Sequence, residues 1–499
     1  MEFKVLNNKQ NLKLKQARLA IIDIGSNSIR LVMYDKLGRY PYPLFDERVT
    51  AKLGVGLDAT GKINTSNSKM ALEALSRFSQ ILKSLEPHQI IVVATAVLRR
   101  AKNAREFLKS AEKTLGHKIS VITPEEEVLF MVKGLADGMP DLTGLVVDLG
   151  GGSTEIAYVQ RGEILNSTSL AIGHLSTISS DKIRKKIHEV SWFKKMNGQH
   201  LFGIGGSFRA IGNAYLRNSN YPVKLLHRLH IKSEERDEII AKLEDGERLA
   251  GIPQGRHASI GVAATILHHL FDATNCNDLI ISGTSIRDGL VLSFQKDNYK
   301  KRDAVHLVCK ELAKKNGRIA GEGELIHKFL KKTASASAKI VLEKSELQNK
   351  KRLIRAVCLL ANICWREPSE KRGKIAFERI LSLPVYGLSH KERVWLGMAL
   401  FHRYEGIRTP LNSITSADKI LTSNEQQYAL AMGLGIRFTS IFCAGYVDFL
   451  NDVKLSVSGK RLIIFLKQDM INLMDFHSKR RFQTFAETLG FESEIQLLC

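Results

Sequence analysis

Up to about residue 296 the chain alternates short apolar runs with stretches of helical period, and small residues punctuate the joins. Residues 20–34 read as two strands meeting at a turn over Gly25–Ser28. Helical periodicity covers 67–84 and 102–115, with a short buried strand at Ile90–Ala94 between them and a strand stub at Val121-Ile122. Pro124 suits a first helical turn, and Thr123 a preceding N-cap, which predicts a helix to about Leu135. Strands are predicted at 145–149, 155–160, 163–170, 200–204 and 279–282, and a helix at 257–271. Strands alternating with helices predict an α/β architecture. Beyond residue 296 a Lys-rich stretch follows, and 303–440 reads as mostly helical, as in Arg352–Trp365 and Glu392–His402. Alternation returns in Lys454–Val457 and Arg461–Leu466, before a helix at 476–489. The expected division is 1–140 and 141–300 as two α/β lobes, 301–440 as a helical domain and 441–499 as a small α+β region.

Two strand–turn–strand units share one plan. The first is Ala20-Ile21-Ile22-Asp23-Ile24-Gly25-Ser26-Asn27-Ser28-Ile29-Arg30-Leu31. The second, about 125 residues later, is Leu145-Val146-Val147-Asp148-Leu149-Gly150-Gly151-Gly152-Ser153-Thr154-Glu155-Ile156. A repeat at this distance predicts two similar lobes rather than a short-period solenoid. Two Asp-headed, Gly-rich turns facing each other across a cleft suit a phosphate chain with a divalent metal.

The candidate chemistry follows from residue type. Glycine lets backbone N–H groups approach a phosphate, and the side chains of Ser26, Asn27, Ser28 and Arg30 add donors. Asp23 cannot bind phosphate directly, so its natural role is to hold a metal. In the second turn, Gly151, Gly152, Ser153 and Thr154 are candidate phosphate contacts, while Asp148 and Glu155 sit on the two arms as carboxylates for one hard cation. Three further segments resemble phosphate grips: Thr95–Arg99 beyond a buried strand, Gly205-Gly206-Ser207-Phe208-Arg209 opening a helix, and, more weakly, Gly283–Arg287. The run Glu125-Glu126-Glu127 supplies the candidate general base, although acids also compensate helix dipoles at N-termini. No Ser, Cys or His nucleophile stands out, and His268-His269 reads as structural.

Composition narrows the partners only a little. The 499 residues are too many for one core, and 44% hydrophobic with 25% charged residues is ordinary for a globular protein. No apolar run is long enough to span a membrane, and Met1–Gln16 lacks a signal-peptide apolar segment, so no membrane insertion and a cytoplasmic location are expected. Six scattered cysteines form no close pair, and Cys358 and Cys364 read as core residues. The net charge of +23 attracts polyanions, and its even spread along the chain favours no specific nucleic acid.

The motifs Asp-Ile-Gly-Ser-Asn-Ser-Ile-Arg-Leu, Asp-Leu-Gly-Gly-Gly-Ser-Thr-Glu and Gly-Ile-Gly-Gly-Ser-Phe-Arg-Ala, in this order, resemble the exopolyphosphatase/guanosine pentaphosphate phosphohydrolase family. The resemblance covers about 18–295 and continues more loosely to the C-terminus. It implies two actin-like (ribonuclease H-like) lobes around a cleft, followed by a helical domain similar to the histidine–aspartate metal phosphohydrolases. It implies hydrolysis of a terminal phosphate with Mg2+, Mn2+ being the alternative ion and a monovalent cation a further candidate. The family's catalytic glutamate falls on Glu127, with Glu126 the neighbouring alternative, and its metal carboxylates on Asp148 and Glu155. Phosphate contacts fall on Ser26, Asn27, Ser28, Arg30, Thr95, Arg99, Gly151, Ser153, Thr154, Gly206 and Ser207, with Arg256 and Arg287 weaker candidates and Arg209 beside them. One departure stands in the helical domain, where Leu359–Trp365 carries Asn362 and no His-Asp pair, so that domain is expected to be structural, or to build the dimer interface and a basic channel. The expected substrate is inorganic polyphosphate. Guanosine pentaphosphate hydrolysis, an actin-like nucleotide switch and a non-enzymatic polyphosphate sensor are the competing readings, and a homodimer is implied by the resemblance alone.

Overall fold

The computed structural model describes residues 18–38, 40–294, 303–319, 321–341, 350–383, 385–407 and 415–498. They form two compact units, one reaching residue 294 and interrupted at 221–225, the other built from 221–225 and the residues from 303 onward.

The first unit holds two sheets of the same plan. In lobe I, β1 (Leu19–Ile24), β2 (Ile29–Tyr34) and β3 (Pro43–Val49) make an antiparallel meander, and β4 (Gln89–Ala94) and β5 (Ser120–Val121) add in parallel, giving the order β3-β2-β1-β4-β5. In lobe II, β6 (Gly144–Leu149), β7 (Thr154–Gln160) and β8 (Glu163–Leu170) repeat the meander. β9 (Leu201–Ile204) and β11 (Leu279–Ile281) repeat the parallel pair, and β10 (Leu229–Ile231) adds one antiparallel edge strand. The internal sequence repeat is therefore a repeat of topology, the two-lobed actin-like arrangement.

β1 is apolar apart from Asp23 because both its faces are covered. Ala20, Ile22 and Ile24 pack towards Leu75 and Phe78 of the helix Thr65–Leu85. Leu19 and Ile21 share a second core with Met131 and Leu135 of the helix Pro124–Ala136, with Val146, Phe202 and Ile204 of lobe II, and with Ile286 and Leu290 of the helix Ile286–Ser293. One apolar layer thus joins the lobes beneath the turns. The helix Pro124–Ala136 starts where Thr123 and Pro124 predict: Thr123 Oγ1 accepts from Glu126 N, and the Glu126 carboxylate accepts from Thr123 N at 2.9 Å.

Some elements have no clear sequence signal. β3 and β10 are edge strands, and the helices Ser180–His188 and Ser233–Glu244 are rich in charge. The helix Gly206–Asn218 opens at the glycine pair, as its sequence suggests.

The second unit is helical, with Trp395 stacked on Tyr428 (centroids 5.4 Å apart) in its core. Its last sheet has the order β12-β13-β14, from Lys454–Ser458, Arg461–Leu466 and Glu492–Leu497, with the helix Phe476–Thr488 crossing between the parallel β13 and β14. That helix packs on the helix Ser423–Phe442, where Phe482 meets Phe438 at 5.2 Å, so residues 441–498 do not stand apart from the helices. Asn362 is buried: its amide donates to Glu322 and accepts from Arg403 at 3.0 Å. Among the described residues no helix is long and apolar enough to cross a membrane.

Candidate active site

The two repeated turns close identically. Gly25 N donates to Ser28 O, and Gly150 N donates to Ser153 O, both at 3.0 Å. Asp23 faces Arg30 across the first hairpin, and Asp148 faces Glu155 across the second. The carbonyls of each turn are taken from behind. Lys52 N and Gly54 N donate to Asn27 O and Ser26 O, while His174 N and Leu175 N donate to Gly150 O and Gly151 O. Among the described residues the N–H groups of Ser26, Asn27, Gly151 and Gly152 have no protein acceptor, which leaves those of Ser26, Asn27 and Gly151 for an anion in the cavity.

The turns press against each other. A Cβ on Gly151 would lie 3.0 Å from Ser26 Cβ, and one on Gly173 would fall 2.5 Å from the Gly151 carbonyl carbon. Arg100 spans the lobes, donating from Nη1 to Gly152 O at 2.7 Å and from Nη2 to Asp58 at 2.6 Å.

Together these elements line a cavity of about 160 Å3. Of the residues singled out in the sequence, it brings together Asp23, Ser26, Asn27, Ser28, Arg30, Thr95, Glu127, Asp148, Gly151, Ser153, Gly206, Arg209, Arg256 and Arg287. Arg48 and His174 also line it and carry no motif signal. Arg48 arrives because β3 pairs it with Arg30, and His174 because its backbone backs the second turn. Three carboxylates and five guanidiniums therefore share one small space.

Several expected contacts lie elsewhere. Glu126 is spent on the helix cap, so of the two candidate bases only Glu127 faces the cavity. Arg99 does not line it. Its Nη1 donates to Glu127 at 2.9 Å and to Ile122 O at 2.8 Å, and its Nη2 lies 3.6 Å from Glu155, so its guanidinium is engaged with the two glutamates. Glu155, 1% exposed, lies behind the wall and accepts from Ser169. The Thr154 hydroxyl donates to Ile172 O, and that of Ser207 to Leu149 O while accepting from Arg256. Gly152 is likewise outside the lining.

Burial governs the electrostatics. Glu127 is pushed well above the ordinary carboxylate range by burial and then by Glu155, against the pull of Arg99. Asp148 is pushed up to about 7 by burial and then by Glu155, against Arg209. Glu155 is raised, again mainly by burial. His174 is lowered to about 4 by burial and by Arg256. Two buried carboxylates and the part-buried Asp148, all resisting ionisation, fit a hard divalent cation, which takes oxygen donors and would hold such groups charged. Asp148 and Asp23 line the cavity and would hold such an ion, with Glu155 behind Asp148; Asp23 otherwise accepts from Arg287 Nη1 at 2.9 Å.

Comparison with known proteins gives the family. Residues 31–298 match the Ppx/GppA phosphatase family model, and 324–495 match that of the exopolyphosphatase C-terminal domain. A guanosine-5'-triphosphate,3'-diphosphate pyrophosphatase of Pseudoalteromonas translucida is 28% identical over 301 residues, covering 56% of this chain and 60% of that relative. A protein of the same description from Vibrio cholerae is 26% identical over 302 residues, covering 56% and 59%. The chain thus spans about three-fifths of the length of these curated relatives. The Aquifex aeolicus Ppx/GppA family member has 23% identity over 56% of this chain and 97% of its own, with a TM-score of 0.47. An exopolyphosphatase from Cytophaga hutchinsonii has 22% identity over 56% and 97%, with a TM-score of 0.49. The family model covers more than half of the sequence, including Glu127 and the whole second turn, and the chain belongs to the Ppx/GppA phosphatase family.

Proposed function

We propose that the protein is an exopolyphosphatase, releasing terminal orthophosphate from inorganic polyphosphate. The observation that carries this reading is the meeting of Glu127, two anion-ready turns and five guanidiniums in one cavity. The turn N–H groups bind the oxygens of the terminal phosphoryl group. Glu127 accepts a proton from water as its oxygen bonds to the terminal phosphorus. The bridging P–O bond breaks, and the shortened chain leaves as an oxyanion that the arginines stabilise. A bound Mg2+, or Mn2+ in its place, supplies charge neutralisation at the phosphate oxygens.

The cavity walls are small, polar and cationic, with Leu149, Ala96 and Ile286 as their apolar members, which suits phosphate better than a base. Guanosine pentaphosphate is the second reading, favoured by the descriptions of the curated relatives. Phosphate release from both substrates, with Mg2+, separates the two. Faster release from long polyphosphate is expected, with a loss in Glu127→Gln of about a hundredfold or more. Faster release from the nucleotide would move the assignment to the second reading, and full activity in Glu127→Gln would remove Glu127 as the base.

A further inference from the structure

A second cluster of ligating side chains stands at the other end of the lobe II sheet. His200 immediately precedes β9, Asp278 immediately precedes β11, and His230 is the central residue of β10. The sheet order β10-β11-β9 makes these strands neighbours. The register puts all three on one face. Leu201 pairs with Leu279, which sets His200 beside Asp278, and His230 pairs with Ile280, two residues along from Asp278. β9 and β11 run from this cluster to Gly205-Gly206 and Ser285–Arg287 at the cavity, five residues or about 16 Å away along β9.

The geometry of the cluster is that of a two-histidine, one-carboxylate site. His230 Nε2 is 2.7 Å from Asp278 Oδ2, and His200 Nδ1 is 3.9 Å from the same oxygen. All three ligand atoms lie within 4.8 Å of one another. The imidazoles meet nearly at right angles, with centroids 5.5 Å apart, so neither ring blocks the other's nitrogen. Asp278 Oδ1 accepts from Ser233 N at 3.1 Å, which fixes the carboxylate as outer-shell partners do in metal sites. A simple surface His–Asp hydrogen bond accounts for His230. It leaves His200 Nδ1 unexplained, since that nitrogen is buried, has no hydrogen-bond partner and is directed at the same carboxylate.

We propose that His200, His230 and Asp278 bind a divalent first-row transition cation, zinc above all, separate from the hard cation of the cavity. Two imidazole nitrogens and one carboxylate oxygen suit zinc, whereas Mg2+ prefers oxygen donors and keeps its waters. Side-chain exposures of 42%, 47% and 20% leave the site open to solvent, so water completes a tetrahedral shell. The ion ties together three strands, two of which lead to cavity residues, and it stabilises lobe II.

The test uses the full chain stripped with a chelator and held in millimolar Mg2+, which occupies the oxygen-donor site. Titration with Zn2+ is expected to show one equivalent bound and a raised melting temperature. His230→Ala and His200→Ala are expected to weaken Zn2+ binding at least tenfold and abolish the rise, while Asp148→Asn keeps both. His230→Gln, which retains bulk at a half-exposed position, serves if His230→Ala lowers the metal-free melting temperature. Co2+ should give a visible absorption band in the parent chain and lose it in both His230 variants. An absence of bound Zn2+, or one equivalent retained unchanged in the histidine variants, overturns the proposal.

Discussion

Arg99 acts on the charge of Glu127, which faces the cavity, and of Glu155 behind it. It lies between Glu127 and Glu155, and its cation is the main force pulling Glu127 back towards ionisation. A general base works only when ionised, so removing that cation raises the Glu127 pKa and moves the acid limb of kcat/KM to higher pH. Arg99→Met is therefore expected to shift that limb upward, with KM for the substrate little changed because Arg99 does not line the cavity. A large KM increase with an unmoved limb would return Arg99 to the phosphate-gripping role its motif suggests. His174 gives a prediction of opposite sense. Its folded pKa of about 4 lies below the ordinary imidazole value, so the neutral ring is the one the fold accepts. Its contribution is complete above about pH 6.5 and is lost as pH falls towards 4, up to about 3 kcal/mol. Urea unfolding of the parent and of His174→Gln at pH 7 and pH 4 should show a smaller acid loss in the variant; equal losses would sink the assignment. The turn residues were legible because glycine and hydroxyl residues between apolar runs have few other uses. Arg48 and Arg100 were not: the first depends on β3 register and the second on a carbonyl in the other lobe, and neither contact leaves a local pattern.

Two helices fix the geometry of the cleft from below. Pro124–Ala136 carries Glu127, Ile286–Ser293 begins at the cavity wall, and they cross where Gly134 meets Gly289. A Cβ on Gly289 would lie 1.9 Å from Phe130 O, a backbone atom, so the overlap can be relieved only by moving a helix. Gly289→Ala is expected to destabilise the protein by about 1–3 kcal/mol or more, read as a lower denaturation midpoint. It should also reduce kcat, because Glu127 moves with its helix. An unchanged midpoint would show that the helices separate at no penalty. The long helices and the central strands could be read in advance, since burial on both faces or one face imposes continuous or periodic apolar runs. β3 could not, because Asp46, Glu47 and Arg48 stand in succession on it, as an edge strand tolerates, and β10 is only three residues long. The pairing of β13 with β14 across a helix was equally invisible, since Glu492–Leu497 has only weak alternation.

At the scale of the whole molecule the net charge of +23 has a testable consequence. The charge by itself names no partner, but five guanidiniums converge on one cavity, where a divalent cation held by Asp23 and Asp148 would offset two of the three carboxylates. A polyphosphate entering by its end would engage the cavity with several phosphates and present the rest to a positive surface. Each phosphate contact displaces condensed counterions, so by analogy with other polyanions affinity falls with salt in proportion to the number of contacts. With about five contacts, KM for long polyphosphate is expected to rise about a hundredfold from about 50 to about 200 mM salt, with kcat nearly constant. Guanosine pentaphosphate carries fewer phosphates in one run and should show a shallower dependence. Steady-state kinetics with both substrates across that range decides the matter. A steep slope for the polymer alone ties the surface charge to holding the chain. Equal, shallow slopes would confine recognition to the terminal phosphates and leave the excess positive charge without a part in binding.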